Sequence, residues 1–427
     1  MTPDTDIERL LQQELAQIHG GKPNGVARRD ATSEATPSEA PLPILPEMAW
    51  RGMFVEYREI MRDTTEASDV AHFATLWAAA SVNLGRRVSM YAGNQIFPNA
   101  YLLFFGSTGD KKTTAARRIL DYSLLHESVQ VVPNVGSPEG MLDALQQSAH
   151  DPAVYLCFFE EISTLLKHAR WQGSTLLEFF TETFDCPQVY RPAYRRIRAE
   201  INRPTPSVLA GTTPEWFWKN AQAEDFHGGF GNRFIFFTGS KKRPLPWPVR
   251  VDESKIESFA SRLHSLATIP QTTVAFSPQA KRLFGEFYVD WEREERSGLY
   301  GAAVKRIPMY VHKLGMLYAA CENTLPEVTC DQTEASIAVG RFAAECARVL
   351  VDLKSTQPRP EGELEQRFLA WLEKHDGSRK RYMQQTLSKY AGSCEIFNRI
   401  LLNLQRADRI RIDGGEGSRV YLNSVTR

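Results

Sequence analysis

Short apolar runs separated by helical patterns dominate the middle of the chain. Runs of this kind occupy residues 101–105, 153–159, 207–210 and 233–238. Apolar strands that alternate with helices are typical of an α/β domain with a largely parallel sheet. The pattern therefore predicts such a domain at residues 99–250.

Helical patterns flank this central domain. Residues 47–85 and 253–353 have helical spacing, and short alternating strands are expected at 87–91. The first helical stretch contains an alanine-rich part with large apolar side chains, which predicts a buried helix. These boundaries give helical regions at 46–98 and 251–355.

Apolar residues also recur at helical spacing at the start of the chain. They are Ile7, Leu10, Leu11, Leu15 and Ile18. The spacing predicts an amphipathic helix at 1–18. The next segment, 19–45, is rich in Gly, Pro, Ser, Thr and Ala and predicts a flexible linker. Two outcomes stay open for the tethered helix: it docks on a neighbouring subunit, or it frays as a terminal tail.

The last part of the chain predicts a separate domain at 360–427, after a proline-containing linker at 356–360. Helices are expected at 361–374, 382–390 and 394–406, followed by a hairpin with strands at 409–412 and 419–422. Three helices and a hairpin make a winged helix. The basic side chains that suit duplex contacts include Lys380, Arg381, Arg399 and Arg411. Winged helices also mediate protein contacts, and this alternative stays open.

Composition narrows the classes of function only slightly. The 427 residues carry 51 basic and 51 acidic side chains, so any nucleic acid must be bound by local basic patches. The six cysteines form no C-x-x-C pair, which argues against a disulfide framework or a zinc knuckle. No apolar run reaches the roughly 18 residues of a membrane span, and the N-terminus lacks the pattern of a signal peptide. We expect a cytoplasmic protein with no membrane partner.

A glycine-rich turn follows the apolar run at 101–105 and precedes a helical pattern. Its sequence, GSTGDKKTT, fits the phosphate-loop pattern G-x-x-x-x-G-K-[ST], except that Lys111 replaces the final glycine. In such a loop, backbone N–H groups point at an anion and a lysine bridges the terminal phosphates. The sequence therefore predicts an ATP site that includes Gly106, Ser107, Thr108, Gly109, Asp110, Lys111, Lys112, Thr113 and Thr114.

Within this loop, Lys112 is expected to contact the β- and γ-phosphates and Thr113 to hold Mg²⁺. Lys111 is expected to adopt right-handed helical angles, because the chain is already turning into a helix that starts at Thr113. Its side chain either adds charge to the site or points to solvent. The alternative to the whole prediction is a glycine-rich turn that binds no nucleotide.

Two further strand ends carry polar side chains. The run at 153–159 ends in Glu160 and Glu161. We expect Glu160 to hold the Mg²⁺ shell and Glu161 to activate a water, unless the pair is only surface charge. The run at 207–210 is followed by Thr212 and Thr213, and either hydroxyl suits a sensor of the γ-phosphate.

Two arginine-containing segments complete the set of candidates. Arg233 lies in a glycine-rich loop, where it either reaches the γ-phosphate of a neighbouring subunit or forms a salt bridge. The segment 190–203 interleaves arginines with Tyr190 and Tyr194, a pattern that suits single-stranded nucleic acid. The candidate residues are Arg191, Arg195, Arg196 and Arg198. The alternative is a hairpin that pairs with acidic groups across a subunit interface.

With these elements in order, the sequence resembles the RecA-like P-loop ATPases of prophages, plasmids and other mobile elements. It is more closely similar to a YfjI-type, primase-associated helicase-like group, through GSTGDKKTT, FFEEIS, LAGTTPEWF and GGFGNRF. The resemblance covers about residues 45–350. It implies a RecA-like core that assembles into a ring, which we expect to be hexameric. Glu160 departs from the aspartate that is usual at its position.

These observations together predict an oligomeric, ATP- and Mg²⁺-dependent motor that acts on single-stranded or duplex DNA, such as a helicase or translocase. In it, Glu161 is the catalytic carboxylate, and Lys112 and Arg233 stabilise charge on the transferred phosphoryl group. A first alternative is a nucleotide-switched initiator or loader that binds DNA without unwinding it. A second alternative is a small-molecule kinase.

Overall fold

The structure is a computed structural model. It describes residues 41–133, 140, 151–171, 174–191, 200–356, 360–391, 394–414 and 418–423. The predicted helix at 1–18 and all but the last residues of the linker at 19–45 lie outside these ranges. Everything below concerns the unit that runs from Leu42 to Arg427.

Strands and helices alternate through this unit. The strands are β1 (Val88–Tyr91), β2 (Gln95–Ile96), β3 (Tyr101–Phe105), β4 (Gln130–Pro133), β5 (Val154–Phe159), β6 (Val189–Tyr190), β7 (Ile201–Asn202), β8 (Thr205–Thr212), β9 (Phe234–Phe237), β10 (Thr272–Phe276), β11 (Glu327–Val328), β12 (Ser378–Arg379), β13 (Ile410–Asp413) and β14 (Arg419–Leu422). The α-helices are α1 (Met53–Met61), α2 (Asp69–Leu84), α3 (Lys112–Asp121), α4 (Ser163–Ala169), α5 (Leu176–Thr183), α6 (Pro214–Asn220), α7 (Ala223–His227), α8 (Glu253–Ser265), α9 (Pro278–Arg293), α10 (Gly298–Val304), α11 (Ile307–Cys321), α12 (Cys330–Thr356), α13 (Pro360–Lys374), α14 (Lys380–Ala391) and α15 (Cys394–Arg406). Across the described ranges, none of these helices has the length and apolar character needed to cross a membrane.

Five strands form the central sheet in the order β4-β5-β8-β3-β9, and every neighbouring pair is parallel. Phe105 pairs with Thr212, and Phe159 pairs with Ala210. The carboxyl ends of β3, β8 and β5 therefore meet at one edge of the sheet. Strands β3 and β5 are buried along their whole length, which explains their purely apolar sequences. The predicted α/β class with a largely parallel sheet is confirmed.

Helix α2 packs against this sheet as a buried helix, as its alanine-rich sequence predicts. Every residue from Val70 to Leu84 is buried. The Ser68 hydroxyl caps the helix by accepting a hydrogen bond from the backbone N–H of Ala71 at 3.1 Å. Trp77 lies 5.9 Å, between ring centroids, from Phe237 of β9. The small side chains of α2 let it lie close to the sheet and leave its few large rings to fill the core.

A second sheet corrects the prediction that residues 251–355 are entirely helical. Its order is β11-β10-β1-β2, and β10 pairs in parallel with both β1 and β11. Strand β10 alternates, with only Val274 and Phe276 buried. Such a short strand gives a weak signal between long helices, and its partner β1 lies far earlier in the chain. Strand β4 of the central sheet is also absent from the prediction, because its four residues include a proline.

The last described part of the chain, from α13 to β14, has its own hydrophobic core. Helices α13, α14 and α15 pack with a three-stranded antiparallel sheet in the order β12-β14-β13. Phe368, Phe397 and Val420 are fully buried in this core. The residues 357–359 of the predicted linker lie outside the described ranges, and α12 and α13 border them on either side.

Candidate functional site

The glycine-rich turn lies at the edge of the sheet where β3, β8 and β5 end. It leaves β3 at Gly106, whose backbone N–H donates to the carbonyl of Thr212 at 3.3 Å. Inside the turn, the backbone N–H of Asp110 donates to the carbonyl of Ser107 at 3.3 Å. Gly109 has a φ of +97°, a conformation that favours glycine. The turn enters helix α3 at Lys112, one residue earlier than the sequence predicts.

Lys111 does not adopt the right-handed helical angles expected from the sequence. Its φ of 55° and ψ of 26° place it in the left-handed region. This conformation costs an L-residue about 1–2 kcal/mol, which explains why glycine suits the position. The prediction is wrong because Lys111 precedes α3 as its N-cap and has to turn the chain before the helix begins. The residue is exposed to solvent.

Lys112, the first residue of α3, turns its ammonium group back onto the loop. Its Nζ donates to the carbonyls of Gly106 and Ser107, each at 2.8 Å. Burial lowers the pKa of Lys112, and the carboxylates of Asp110, Glu161 and Glu215 oppose that shift. The ammonium group of Lys112 is thus partly buried and near three carboxylates. The groups that accept its hydrogen bonds are neutral backbone carbonyls.

Glu161 is the most constrained carboxylate at this edge. Its Oε1 accepts hydrogen bonds from the Thr212 hydroxyl at 2.6 Å and from the Ser163 hydroxyl at 2.7 Å. The backbone N–H of Ser163 adds a third bond at 3.2 Å. Thr212 ends β8 and Ser163 begins α4, so two neighbouring elements fix one carboxylate oxygen. Ser163 is absent from the sequence-based prediction, although its place two residues after Glu161 is a local signal.

The two threonines after β8 have different roles. Thr212 is buried and binds Glu161, whereas Thr213 caps helix α6 by accepting a hydrogen bond from the backbone N–H of Trp216 at 3.3 Å. The geometry therefore distinguishes the two candidates: Thr212 belongs to the site, and Thr213 stabilises the helix that follows it.

Glu160 faces helix α3. It accepts from Arg117 through both Nε, at 2.8 Å, and Nη2. Glu160 and Thr113 line the same small cavity between α3 and the ends of β5 and β8. Within the described ranges, no group of three or more His, Cys, Asp or Glu side chains could hold a metal ion. Thr113 and Glu160 offer a hydroxyl and a carboxylate oxygen, ligand types that Mg²⁺ accepts together with phosphate and water.

Arg233 lies at the opposite edge of the sheet. It directly precedes β9, and Phe234 pairs with Tyr101 at the start of β3. Its guanidinium is buried, where Nη1 donates to the Gly229 carbonyl at 2.6 Å and Nη2 to Asp185 at 3.4 Å. Burial lowers the pKa of Arg233, and the nearby Arg306 adds to this effect. The sequence suggests a mobile loop arginine, but the structure holds the side chain in place.

The arginine-rich segment is closed at its base by the antiparallel pair β6 and β7. Arg191 is exposed and forms a two-bond pair with Glu200, at 3.0 and 3.3 Å. The predicted residues Arg195, Arg196 and Arg198 lie outside the described residues. Tyr190 is buried, and its ring lies 5.1 Å, between centroids, from that of Phe179, so it packs in the core. An aromatic residue beside arginines is easily mistaken for a surface residue when its core partner is not known.

The four basic residues predicted to contact a duplex lie near the surface of the part of the chain from α13 to β14. Arg381, Arg399 and Arg411 are exposed, and Lys380 is half-buried. The guanidinium of Arg411 lies over the ring of Tyr421 at 5.1 Å. These residues belong to α14, α15 and β13, so they do not come from a single element.

Comparisons with known proteins add nothing to this picture. No family model matches the chain, and no curated protein matches it. The case for a function therefore depends on the geometry of the sheet edge.

Proposed function

We propose that this chain is a Mg²⁺-dependent ATPase with a RecA-like core and a winged-helix domain, and that it acts on nucleic acid as an oligomer. The observation that carries the proposal is the carboxylate of Glu161. It follows a buried strand and is fixed by Thr212 at 2.6 Å. Burial lowers the pKa of Lys112, and Glu161 lies close enough to oppose that lowering. A carboxylate fixed beside a cationic loop suits the activation of a water for attack on a phosphate.

The residues of the sheet edge divide the chemistry among them. Lys112 exchanges its carbonyl partners for phosphate oxygens, and the backbone N–H groups of the loop bind the same anion. Glu161 accepts a proton from the attacking water, and Thr212 keeps the carboxylate in place. Thr113 and Glu160 are the protein groups for the metal, and for this Glu160 releases Arg117. Bound Mg²⁺ supplies neutralising charge to the phosphates.

Arg233 is proposed to act on a neighbouring subunit, in a ring that we expect to be hexameric. Its position before β9, at the edge opposite the loop, supports action between subunits over action within one subunit. The role requires the guanidinium to leave Asp185 and Gly229, its partners at 3.4 and 2.6 Å.

ATP turnover by a Glu161→Gln variant tests the proposal. Glutamine keeps an oxygen that accepts from Thr212 and Ser163, so the fold and ATP binding should survive. Loss of a positioned general base lowers rates by about 100- to 10,000-fold. The matched control is Glu253→Gln, which removes an exposed carboxylate at the start of α8. Equal turnover by wild type and Glu161→Gln would contradict the proposal.

The separate core of the C-terminal domain, with its exposed arginines, favours one alternative. In it, the chain is a nucleotide-switched initiator or loader that binds DNA without unwinding it. A strand-displacement assay separates the two functions. DNA-stimulated ATP turnover without displacement supports the initiator or loader, and displacement that is lost in Glu161→Gln supports the motor.

A further inference from the structure

Helices α4 and α6 present two exposed tryptophans that the site does not use. Trp216 on α6 is 46% exposed, and Trp171, just after α4, is 62% exposed. Large indole rings are seldom left this open on a soluble protein unless they contact something. We call this surface the tryptophan patch; it consists of Trp171, Trp216, Lys167 and Lys219.

Two lysine side chains lie over the Trp216 ring. The ammonium groups of Lys167 and Lys219 lie 4.6 and 5.3 Å from the centre of the Trp216 ring. Both lysines are exposed, and neither forms an ion pair within the described part of the chain. His168 lies 4.6 Å from the Trp171 ring, between ring centroids. The patch thus combines two exposed aromatic rings with two lysine ammonium groups that form no ion pair within the described residues.

The patch is held together by the ends of its two helices. Arg170, after α4, donates to the carbonyl of Asn220 at 3.2 Å and also binds the buried carboxylate of Asp225. Both helices begin at the candidate site, because α4 starts two residues after Glu161 and α6 is capped by Thr213. A ligand on the patch therefore contacts α4, whose Ser163 binds the carboxylate of Glu161, and α6, which follows Thr212 by way of its cap Thr213.

We propose that the tryptophan patch binds single-stranded nucleic acid. Its rings stack on unpaired bases, and its lysines neutralise the phosphates between them. A duplex keeps its base faces inside the helix and cannot use the rings in this way, so the chemistry selects single strands. The choice of nucleic acid as the partner rests on the proposed function. The existence of the tryptophan patch does not depend on that function.

Fluorescence anisotropy with a labelled oligothymidylate tests the proposal in the full chain. Alanine at both Trp171 and Trp216 should weaken binding by about 5- to 100-fold for each ring that stacks. The slope of affinity against salt concentration should stay the same, because no phosphate contact is lost. Glutamine at both Lys167 and Lys219 should instead flatten that slope, by about 0.7 per phosphate contact. Trp247→Ala, which removes a ring that is 88% exposed elsewhere, should change nothing.

Phenylalanine variants at the same two positions keep a stacking face and should retain most of the affinity. They provide a readout even if the alanine variants fail to fold. Unchanged oligothymidylate binding by the alanine variants overturns the proposal. It is also overturned if these variants lose binding to heparin, a polyanion without bases, to the same extent. Binding of a fluorescent ATP analogue, measured on the same samples, reports on the proposed function separately.

Discussion

His72 provides a sharp test of how helix α2 is packed against its neighbours. The side chain is fully buried, and neither ring nitrogen has a hydrogen-bond partner among the described residues. Its ring lies 6.0 Å, between centroids, from that of Tyr57. Burial lowers the pKa of His72 from 6.5 to about 3, and the nearby Lys242 acts in the same direction. The folded protein therefore keeps this ring neutral well below pH 6.5.

The sign of the pH effect follows from this lowered pKa. The unfolded chain binds a proton at His72 below about pH 6.5, and the folded chain does not. The contribution of His72 to the free energy of unfolding is therefore constant above its pKa in the unfolded chain. It decreases as the pH falls from that value towards the pKa of His72 in the folded chain. Between about pH 7.5 and about pH 5 this one group should remove about 2 kcal/mol from the free energy of unfolding. A folded pKa one unit higher gives the same result, because the folded ring is neutral at pH 5 in both cases.

Urea unfolding of wild type and a His72→Leu variant at the two pH values measures this directly. Between the two pH values, the free energy of unfolding should fall by about 2 kcal/mol more in wild type than in the variant. The reason is that only unfolded wild type can bind this proton. At neutral pH the variant should be about as stable as wild type, because the substitution removes two buried nitrogens that lack partners. Parallel losses in the two proteins would show that the folded ring accepts a proton, which refutes the packing described for α2.

Two further predictions concern the loop and the strand that follows it. Lys111→Gly should raise the free energy of unfolding by about 1 kcal/mol, because glycine relieves the left-handed strain and costs less than that in chain entropy. Urea unfolding measures this change. The control is Lys111→Ala, which keeps the strain. Thr212→Val should lower ATP turnover by about tenfold, because it removes one of the three hydrogen bonds that fix the carboxylate of Glu161. Thr213→Val should leave ATP turnover unchanged and lower the free energy of unfolding by about 1 kcal/mol, because the cap of α6 is lost. A loss of turnover in this control alone would contradict the roles given to the two threonines.

Strands β3, β5, β8 and β9 of the central sheet could be predicted from the sequence because nearly every one of their residues is buried. Strands β3 and β5 are apolar at every position and so stand out against the amphipathic helices around them. Strand β10 could not be recognised, since its alternation extends over five residues and depends on pairing with β1. Local pattern thus identifies strands that the whole fold buries, and misses strands that exist because a distant partner completes the ladder.

The same distinction holds at the candidate site. The order of strand, loop and helix around Lys112 is local, and the sequence predicts it. The pairs that define the geometry are not local: Thr212 meets Glu161, Arg117 meets Glu160, and Arg233 meets Asp185. The left-handed backbone of Lys111 is set by the closure of the whole turn, so the identity of the residue alone could not reveal it.

Calorimetric titration with Mg-ATP tests whether the loop after β3 binds a triphosphate through Lys112, on which the proposed function depends. Wild type and Lys111→Ala should bind, because Lys111 is exposed and its side chain is not needed for contact. Lys112→Ala should bind about 10- to 100-fold more weakly, which corresponds to the loss of charged hydrogen bonds to phosphate. Absence of binding by wild type, or equal binding by the Lys112→Ala variant, would show that the loop is not a triphosphate site.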